Sequence, residues 1–502
     1  MNQNLYALFA KHFQPAAIAF ELEDGTPLSY AGLESETARY ANLLRALGLA
    51  PGDRVVAQVE KSLSAVLLYL GCLRAGCVFV PLNTAYQARE ISYFIGDAKP
   101  RLVVGRTESA EALGKLAREA GVGQVLALDA NGAGSLASAA AAQSTHFDTV
   151  PCAKDDLAAI VYTSGTTGRS KGAMLSHGNL ASNAEVLHAC WAFQPGDVLL
   201  HALPIYHVHG LMVALHTALL NSSRIVFLRK FDAADVLRRL PDATVFMGVP
   251  TMYVRLLAEA GLHRAACAGM RLFVSGSAPL LNETFDSFRT RTGHTILERY
   301  GMSETNMNTS NPYTGERRGG TVGFPLPGTA LRIANDRDEA LAAGEIGEIQ
   351  VRGPNVMSGY WGMPGKNAEA FAADGYFRTG DLGRIDAEGY VSIVGRAKDL
   401  VISGGLNVYP KEVELLLDAL PGVEESAVFG VPHADFGEAV TAAIVPRPGA
   451  TLDEAGVLAQ VKGELAAFKL PKRIHIVDAL PRNAMGKVQK NLLRERYGKP
   501  GA

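Results

Sequence analysis

The chain has 502 residues, 48% of them hydrophobic and 20% charged, which is enough for more than one domain with a sizeable core. A net charge of −2 gives no electrostatic basis for binding nucleic acid or an anionic membrane surface, so any bound anion must be held by local groups. The cysteines are odd in number, with Cys72 and Cys77 in an apolar run, which points to reduced thiols, and neither a signal peptide nor a membrane span is read, so a cytoplasmic protein is expected.

The first 150 residues alternate helical and strand-like patterns: a turn and helix over 28–47, a strand over 54–59, a helix over 62–75 and a strand over 78–81. This is the rhythm of α/β layers. Residues 129–143, rich in Ala, Gly and Ser, read as a surface loop or a weakly specified helix. Strands are expected at 198–202, 224–228, 243–249 and 271–275, with helices between them such as 252–260. From residue 344 the texture changes to short β segments, with a hairpin turn at 386–389. Beyond Lys398 come a helix (411–419), strands (425–431, 439–445), a helix (452–465) and a strand (473–477), a compact α+β unit. The domain boundary is therefore placed at Lys398, giving 1–397 and 398–502.

Four polar clusters carry candidate chemistry. Residues 161–172 read VYTSGTTGRSKG, in which strand-like Val161 and Tyr162 lead into Ser, Thr and Gly and the run closes on Lys171. Glycines allow a tight backbone path, hydroxyls and amides converge on one acceptor, and the lysine adds charge, so either a polyphosphate cradle or a flexible linker fits the composition. The GxxxxGK[ST] spacing of P-loop phosphotransferases is absent, because Gly172 follows Lys171. In LERYGMSET (297–305), Tyr300 offers a platform for a base and Glu304 a carboxylate for Mg²⁺; a helix start capped by Ser303 and Glu304 fits equally. In YFRTGDLG (376–383), Asp381 sits on a glycine turn and either closes it or accepts two ribose hydroxyls. In PRNAMGKVQK (481–490), Lys487 follows a glycine and taken alone reads as a solvated charge.

In their order along the chain these segments resemble the adenylate-forming superfamily of acyl-CoA synthetases, luciferases and peptide-synthetase adenylation domains. The resemblance also runs through LSYAGL (28–33), LRAGCVFVPLN (73–83), PIYHVHG (204–210), SGSAPL (275–280), GEIGEIQVRGPNVMSGYW (344–361), GRAKDLVISGG (395–405) and FKLPKRI (468–474), nearly the whole chain. It implies an α/β fold: a large multi-sheet N-terminal domain and a small mobile α+β C-terminal domain hinged at Lys398. It also implies that Thr163, Ser164, Gly165, Thr166, Thr167, Gly168 and Lys171 cradle the β- and γ-phosphates of ATP. Tyr300, with Gly301, Met302 and Ser303, would stack on adenine beside Gly276, Ser277, Ala278 and Pro279. Glu304 would hold Mg²⁺, Asp381 the ribose with help from Arg396, and Lys487 the α-phosphate and the substrate carboxylate. Gly404 and Gly405 would line the pantetheine tunnel for coenzyme A. The family reaction makes an acyl adenylate and pyrophosphate, then a thioester and AMP. Ser170 and Ser303 stand where many members have Pro and Thr; neither change removes chemistry.

For the acid, Arg299 immediately precedes the stacking tyrosine. A buried guanidinium is costly unless a carboxylate meets it, so either a second carboxylate on the substrate or an internal acid such as Glu298 is its partner. His207 lies in a segment that lines the family's acyl pocket, Ser277 is a hydroxyl where many members of the family have glycine, and Arg255 is a reserve candidate. Together the segments YHVHG, GVPTMY, VSGSAPL and ERYGMSET resemble malonyl-CoA synthetases, including those accepting methylmalonate. Another short acid or dicarboxylate, or a luciferase-like oxygenase, is the alternative. Lys487 is also a candidate target of a lysine acetyltransferase, because acetylation removes its charge.

Overall fold

The structure is a computed structural model, and it describes residues 2–163, 170–403, 406–433, 436–462, 464–465, 467–483 and 486–498. Ser164, Gly165, Thr166, Thr167 and Gly168 of the expected phosphate loop, and the expected tunnel glycines Gly404 and Gly405, lie outside the described residues. The chain divides into two compact units, one of Met1–Ala330 with Val351–Phe377 and the other of Leu331–Gln350 with Arg378–Ala502.

The first unit carries two large sheets. In the six-stranded sheet the spatial order is Gln124–Leu128, Leu102–Arg106, Arg54–Gln58, Val78–Pro81, Leu157–Thr163, Lys171–Ser176. Its strands run parallel except for the last pair, which is antiparallel with Thr163 opposite Lys171. The nine-stranded sheet holds the parallel strands Leu297–Met302, Leu272–Ser275, Val245–Gly248, Val198–His201, Arg224–Phe227 and Ile18–Leu22, in that order. Runs such as LFVS and VFMG are buried at every position, as parallel strands covered on both faces must be. Between the layers, the Ser62 side chain caps Leu63–Ala75, Gly76 ends it in the left-handed region (φ +70°), and Ala65 to Ala75 are all buried.

In the second unit the strands Gly437–Pro446 and Val423–His433 form a long antiparallel pair, with Arg473–Ile476 parallel to the former. Helices Pro410–Asp418 and Glu454–Val461 cover a core that includes Val401, Val413, Leu417, Val428, Val440 and Ile444. A second sheet, of Ala330–Ala334, Gly347–Arg352, Phe377–Ile385 and Val391–Arg396, falls almost entirely in this unit. The division by packing thus differs from the boundary expected at Lys398. Strand Val391–Arg396 lies against helix Pro410–Asp418, so residues on both sides of 398 belong together. The hinge expected at Lys398 concerns motion rather than packing.

Most expected elements are present, and the turn at 386–389 closes a hairpin between Phe377–Ile385 and Val391–Arg396, with Gly389 at φ +92°. The Ala-rich stretch holds a short helix, Ser135–Ala141, and the helix expected at 452–465 is shorter, Glu454–Val461. All five cysteines are free thiols. Among the described residues no helix is long and apolar enough to cross a membrane.

Candidate functional site

The segment 297–305, read as a turn or a helix start, is a β-hairpin. Leu297–Met302 pairs antiparallel with Asn306–Ser310, and the Thr305 amide donates to the Met302 carbonyl at 3.1 Å. Gly301 is needed for close approach rather than for the turn, since a Cβ there would lie 1.9 Å from the Asn306 carbonyl oxygen. The hairpin presents Arg299, Tyr300 and Glu304 from one short element.

Glu304 is 6% exposed, and its Oε1 accepts from Thr163 Oγ1 at 3.2 Å and from the Tyr360 hydroxyl at 3.1 Å. Lys171 Nζ lies 4.3 Å from the centre of the Tyr360 ring. Burial and the Glu304 carboxylate push the Tyr360 hydroxyl well above its ordinary value, so it stays a donor. The backbone fixes this group. Trp361 N–H donates to Gly172 O (2.8 Å), Met174 N–H to Gly359 O (2.9 Å) and Met357 N–H to Glu304 O (2.8 Å). Residues 357–361 are therefore stitched between the strand leaving the phosphate loop and the Glu304 turn. Sequence reasoning named Thr163, Lys171 and Glu304 and missed Tyr360; the one signal was an aromatic after glycine in SGYW.

This donor set suits Mg²⁺. Both hydroxyls occupy Oε1, leaving Oε2 for a cation, and among the described residues no three His, Cys, Asp or Glu groups converge into a cage. A single carboxylate completed by water and substrate phosphates is how Mg²⁺ is usually held.

The strand Leu272–Ser275 ends beside the hairpin and delivers Gly276 and Ser277. Ser277 has φ +72°, a conformation glycine adopts freely and serine rarely. Its Oγ lies 3.2 Å from His209 Nδ1. Ala278 is half-buried, Pro279 exposed and Tyr300 buried.

Arg299 is 3% exposed, and its Nε and Nη2 have no hydrogen-bond partner among the described residues. Burial pushes the guanidinium down to about 9, with Tyr253 and Glu298 opposing the change. Glu298 acts on it electrostatically, while its own Oε1 accepts the Leu280 amide at 3.2 Å. Gly276 makes room for this side chain, because a Cβ there would lie 2.5 Å from Arg299 Cζ. Burial and the Arg299 charge hold His207 down at about 4, and the same causes lower His209, which is 1% exposed. The result is a buried cation whose charge reaches two neutral imidazoles, one of them in contact with the Ser277 hydroxyl. His209 was not anticipated, and it, rather than His207, contacts Ser277. Arg255 is exposed on the last turn of Pro250–Ala258 and lies apart from this group.

In the second unit Asp381 is 4% exposed and pairs with Arg396 Nε at 2.9 Å. It lies within strand Phe377–Ile385 opposite Arg396, after Gly380 with φ +70°, and not on a turn between strands as expected. Lys487 follows Gly486 (φ +74°), and its amide donates to Asn483 Oδ1 at 2.9 Å. Burial and the cations Arg396 and Lys398 bring the Lys487 ammonium down to about 8 against the opposing pull of Asp381 and Asp399. Asp381, Arg396, Lys398 and Lys487 thus share one electrostatic neighbourhood.

Residues 9–361 match the sequence model described as AMP-binding enzyme, and residues 412–487 match the AMP-binding enzyme C-terminal domain. The malonate–CoA ligase of Arabidopsis thaliana is 35% identical over 521 residues, covering 94% of this chain and 85% of the relative. A feruloyl-CoA synthase of Amycolatopsis sp is 36% identical over 479 residues, covering 94% and 95%. The fold is similar to the crystal structure of ATP-bound MatB from Rhodopseudomonas palustris, with TM-score 0.98, 55% identity and 99% of each chain covered.

Proposed function

The chain belongs to the AMP-binding enzyme family, and from that premise we propose that it is a malonyl-CoA synthetase that also takes methylmalonate. It is an AMP-forming acid–thiol ligase with ATP and coenzyme A as co-substrates. In the first step a carboxylate oxygen bonds to the α-phosphorus of ATP and the bond to pyrophosphate breaks. In the second the CoA sulfur bonds to the acyl carbon, AMP leaves, and the thiol proton passes to solvent.

One observation carries the choice of acid: a buried guanidinium with unpartnered Nε and Nη2, packed on Gly276. A monocarboxylate leaves that cation unmet, whereas malonate presents one carboxylate to it and the other to the α-phosphorus. The same cation disfavours the aromatic acid of a luciferase-like oxygenase. His207 and Ser277 complete the polar wall.

In this reading Thr163 and Lys171 hold the phosphate chain, Tyr300 stacks on adenine, and Asp381 with Arg396 holds the ribose. Glu304 would hold Mg²⁺, which neutralises phosphate charge when bound. Lys487 supplies the cation that offsets charge on the α-phosphate as it is attacked, an effect largest where water is excluded. Rotation about Lys398 and the tunnel role of Gly404 and Gly405, carried by the sequence resemblance, belong to the same proposal, as do acetylation of Lys487 by a lysine acetyltransferase, which would remove its charge, and a cytoplasmic location.

ATP–pyrophosphate exchange over acetate, propionate, malonate, methylmalonate, succinate and octanoate tests it. Malonate and methylmalonate are expected to lead. A preference for octanoate or acetate overturns the choice of acid and leaves the reaction class standing.

A further inference from the structure

We propose that Lys61 and His201 are a positioning pair that holds the acid-binding segment 207–210 through the Gly210 carbonyl, and so sets the enzyme's affinity for its acid. The inference rests on the assignment of that segment to the acid pocket. Lys61 lies between strand Arg54–Gln58 and the Ser62 cap, and it is 8% exposed. Among the described residues no carboxylate pairs with it. Its Nζ sits 2.7 Å from His201 Nδ1, 3.0 Å from the His201 carbonyl oxygen and 4.5 Å from the centre of the Phe227 ring. A buried ammonium without a carboxylate is costly, and packing alone would be served as well by methionine.

The two ring nitrogens of His201 have separate partners. A carbonyl oxygen can only accept, so Nε2 carries the ring proton and donates to Gly210 O at 2.9 Å, which leaves Nδ1 of the neutral ring to accept from Lys61 Nζ. His201 is 1% exposed and closes strand Val198–His201, whose partner residue is Phe227. The lysine and the Gly210 carbonyl thus hold one tautomer between them.

Gly210 stands at a knuckle. A Cβ there would lie 2.1 Å from the Pro204 carbonyl oxygen, and it is the second residue of the π-helical segment His209–Ala214. The next amide, Leu211 N–H, donates to His207 O at 3.0 Å. Tension on the Gly210 carbonyl therefore places His207 and His209, and through His209 it places Ser277 in the Arg299 pocket. Burial lowers all three imidazoles, helped by Lys61 at His201 and by Arg299 at His207 and His209.

The test uses the full chain and ATP–pyrophosphate exchange with malonate. Lys61→Met and His201→Phe are expected to raise the malonate KM about tenfold through a misplaced pocket while leaving the ATP KM unchanged. His201→Gln, whose amide nitrogen reaches the Nε2 position, is expected to keep the wild-type malonate KM. Malonate and ATP KM rising together, an unmoved malonate KM in Lys61→Met, or His201→Gln as impaired as His201→Phe each overturn the pair. If the first two variants do not fold, His201→Gln against His201→Asn decides, since asparagine reaches only Nδ1; equal malonate KM values refute the proposal. A wild type that exchanges pyrophosphate with another acid and not with malonate refutes the choice of substrate, and the pair is then judged on the KM of that acid.

Discussion

Replacing Arg299 with leucine should separate what this residue does for the acid from what it costs the fold. The guanidinium is 3% exposed with two nitrogens unpartnered, and burial pushes it down to about 9. Since each tenfold in a protonation equilibrium is worth about 1.4 kcal/mol, the pocket without substrate holds its charge at a penalty of several kcal/mol. A substrate carboxylate relieves that penalty on binding. Removing one partner of a desolvated charge pair costs about 2–5 kcal/mol, so kcat/KM for malonate should fall by roughly 30- to 5000-fold in Arg299→Leu. Exchange with propionate and butyrate should rise, because an apolar wall no longer demands a second carboxylate. The fold should gain, by about 1–3 kcal/mol for a buried donor no longer left unmet, and thermal melting of the ligand-free protein reads this as a higher midpoint. Unchanged malonate kinetics, or equal losses for malonate and propionate, would refute the reasoning.

Gly276→Ala should crowd the same guanidinium without deleting its charge, since the new methyl would lie 2.5 Å from Cζ, and it should raise the malonate KM more than the ATP KM; equal changes would count against the pocket. Lys487→Ala should abolish adenylate formation yet leave thioester formation from supplied malonyl adenylate largely intact, and loss of both half-reactions would make Lys487 structural. With the Lys487 ammonium brought down to about 8, its charge is present below that pH and lost above it. The kcat/KM for adenylate formation should therefore decline as pH rises through about 8, a limb absent from the second half-reaction. Tyr360→Phe keeps the ring under Lys171 and removes the donor to Glu304, worth about 1.5–3 kcal/mol for a bond to a charged group. It should lower kcat/KM for ATP and spare the KM for the acid; an unchanged ATP response would leave the hydroxyl without a role.

The parallel strands were legible because their burial shows as short apolar runs between turn residues. The hairpin at 297–310 was not, because its second strand, NMNTS, reads as a polar loop. Those side chains are buried, and the backbone around them is tied down from afar: Asn183 Nδ2 donates to the Met307 carbonyl, and Asn355 Nδ2 to the Thr305 carbonyl. The boundary at Lys398 rested on a change of texture, whereas packing joins residues 331–350 and 378–397 to the C-terminal α+β unit, a pairing local pattern does not encode. At the site, motif order gave Thr163, Lys171, Glu304, Arg299 and Asp381. Tyr360 and His209 escaped because an aromatic after glycine and a second histidine in HVHG are ordinary until their neighbours are known. Lys61 and His201 stand 140 positions apart, and nothing in either segment announces the other.

The wide turn at His209–Ala214 bears on how this enzyme can change. A π segment is what an α-helix becomes when it accommodates one extra residue, so its length can vary by one while the turns beyond keep their phase. Downstream, Leu215–Leu220 is buried at every position and tolerates no rotation. The acid pocket is thus coupled to a slack link in an otherwise taut helix. An insertion or deletion there would re-aim His207 and His209 at a differently shaped acid while the core stayed in register, a route to new specificity that point substitution in a regular helix would not offer.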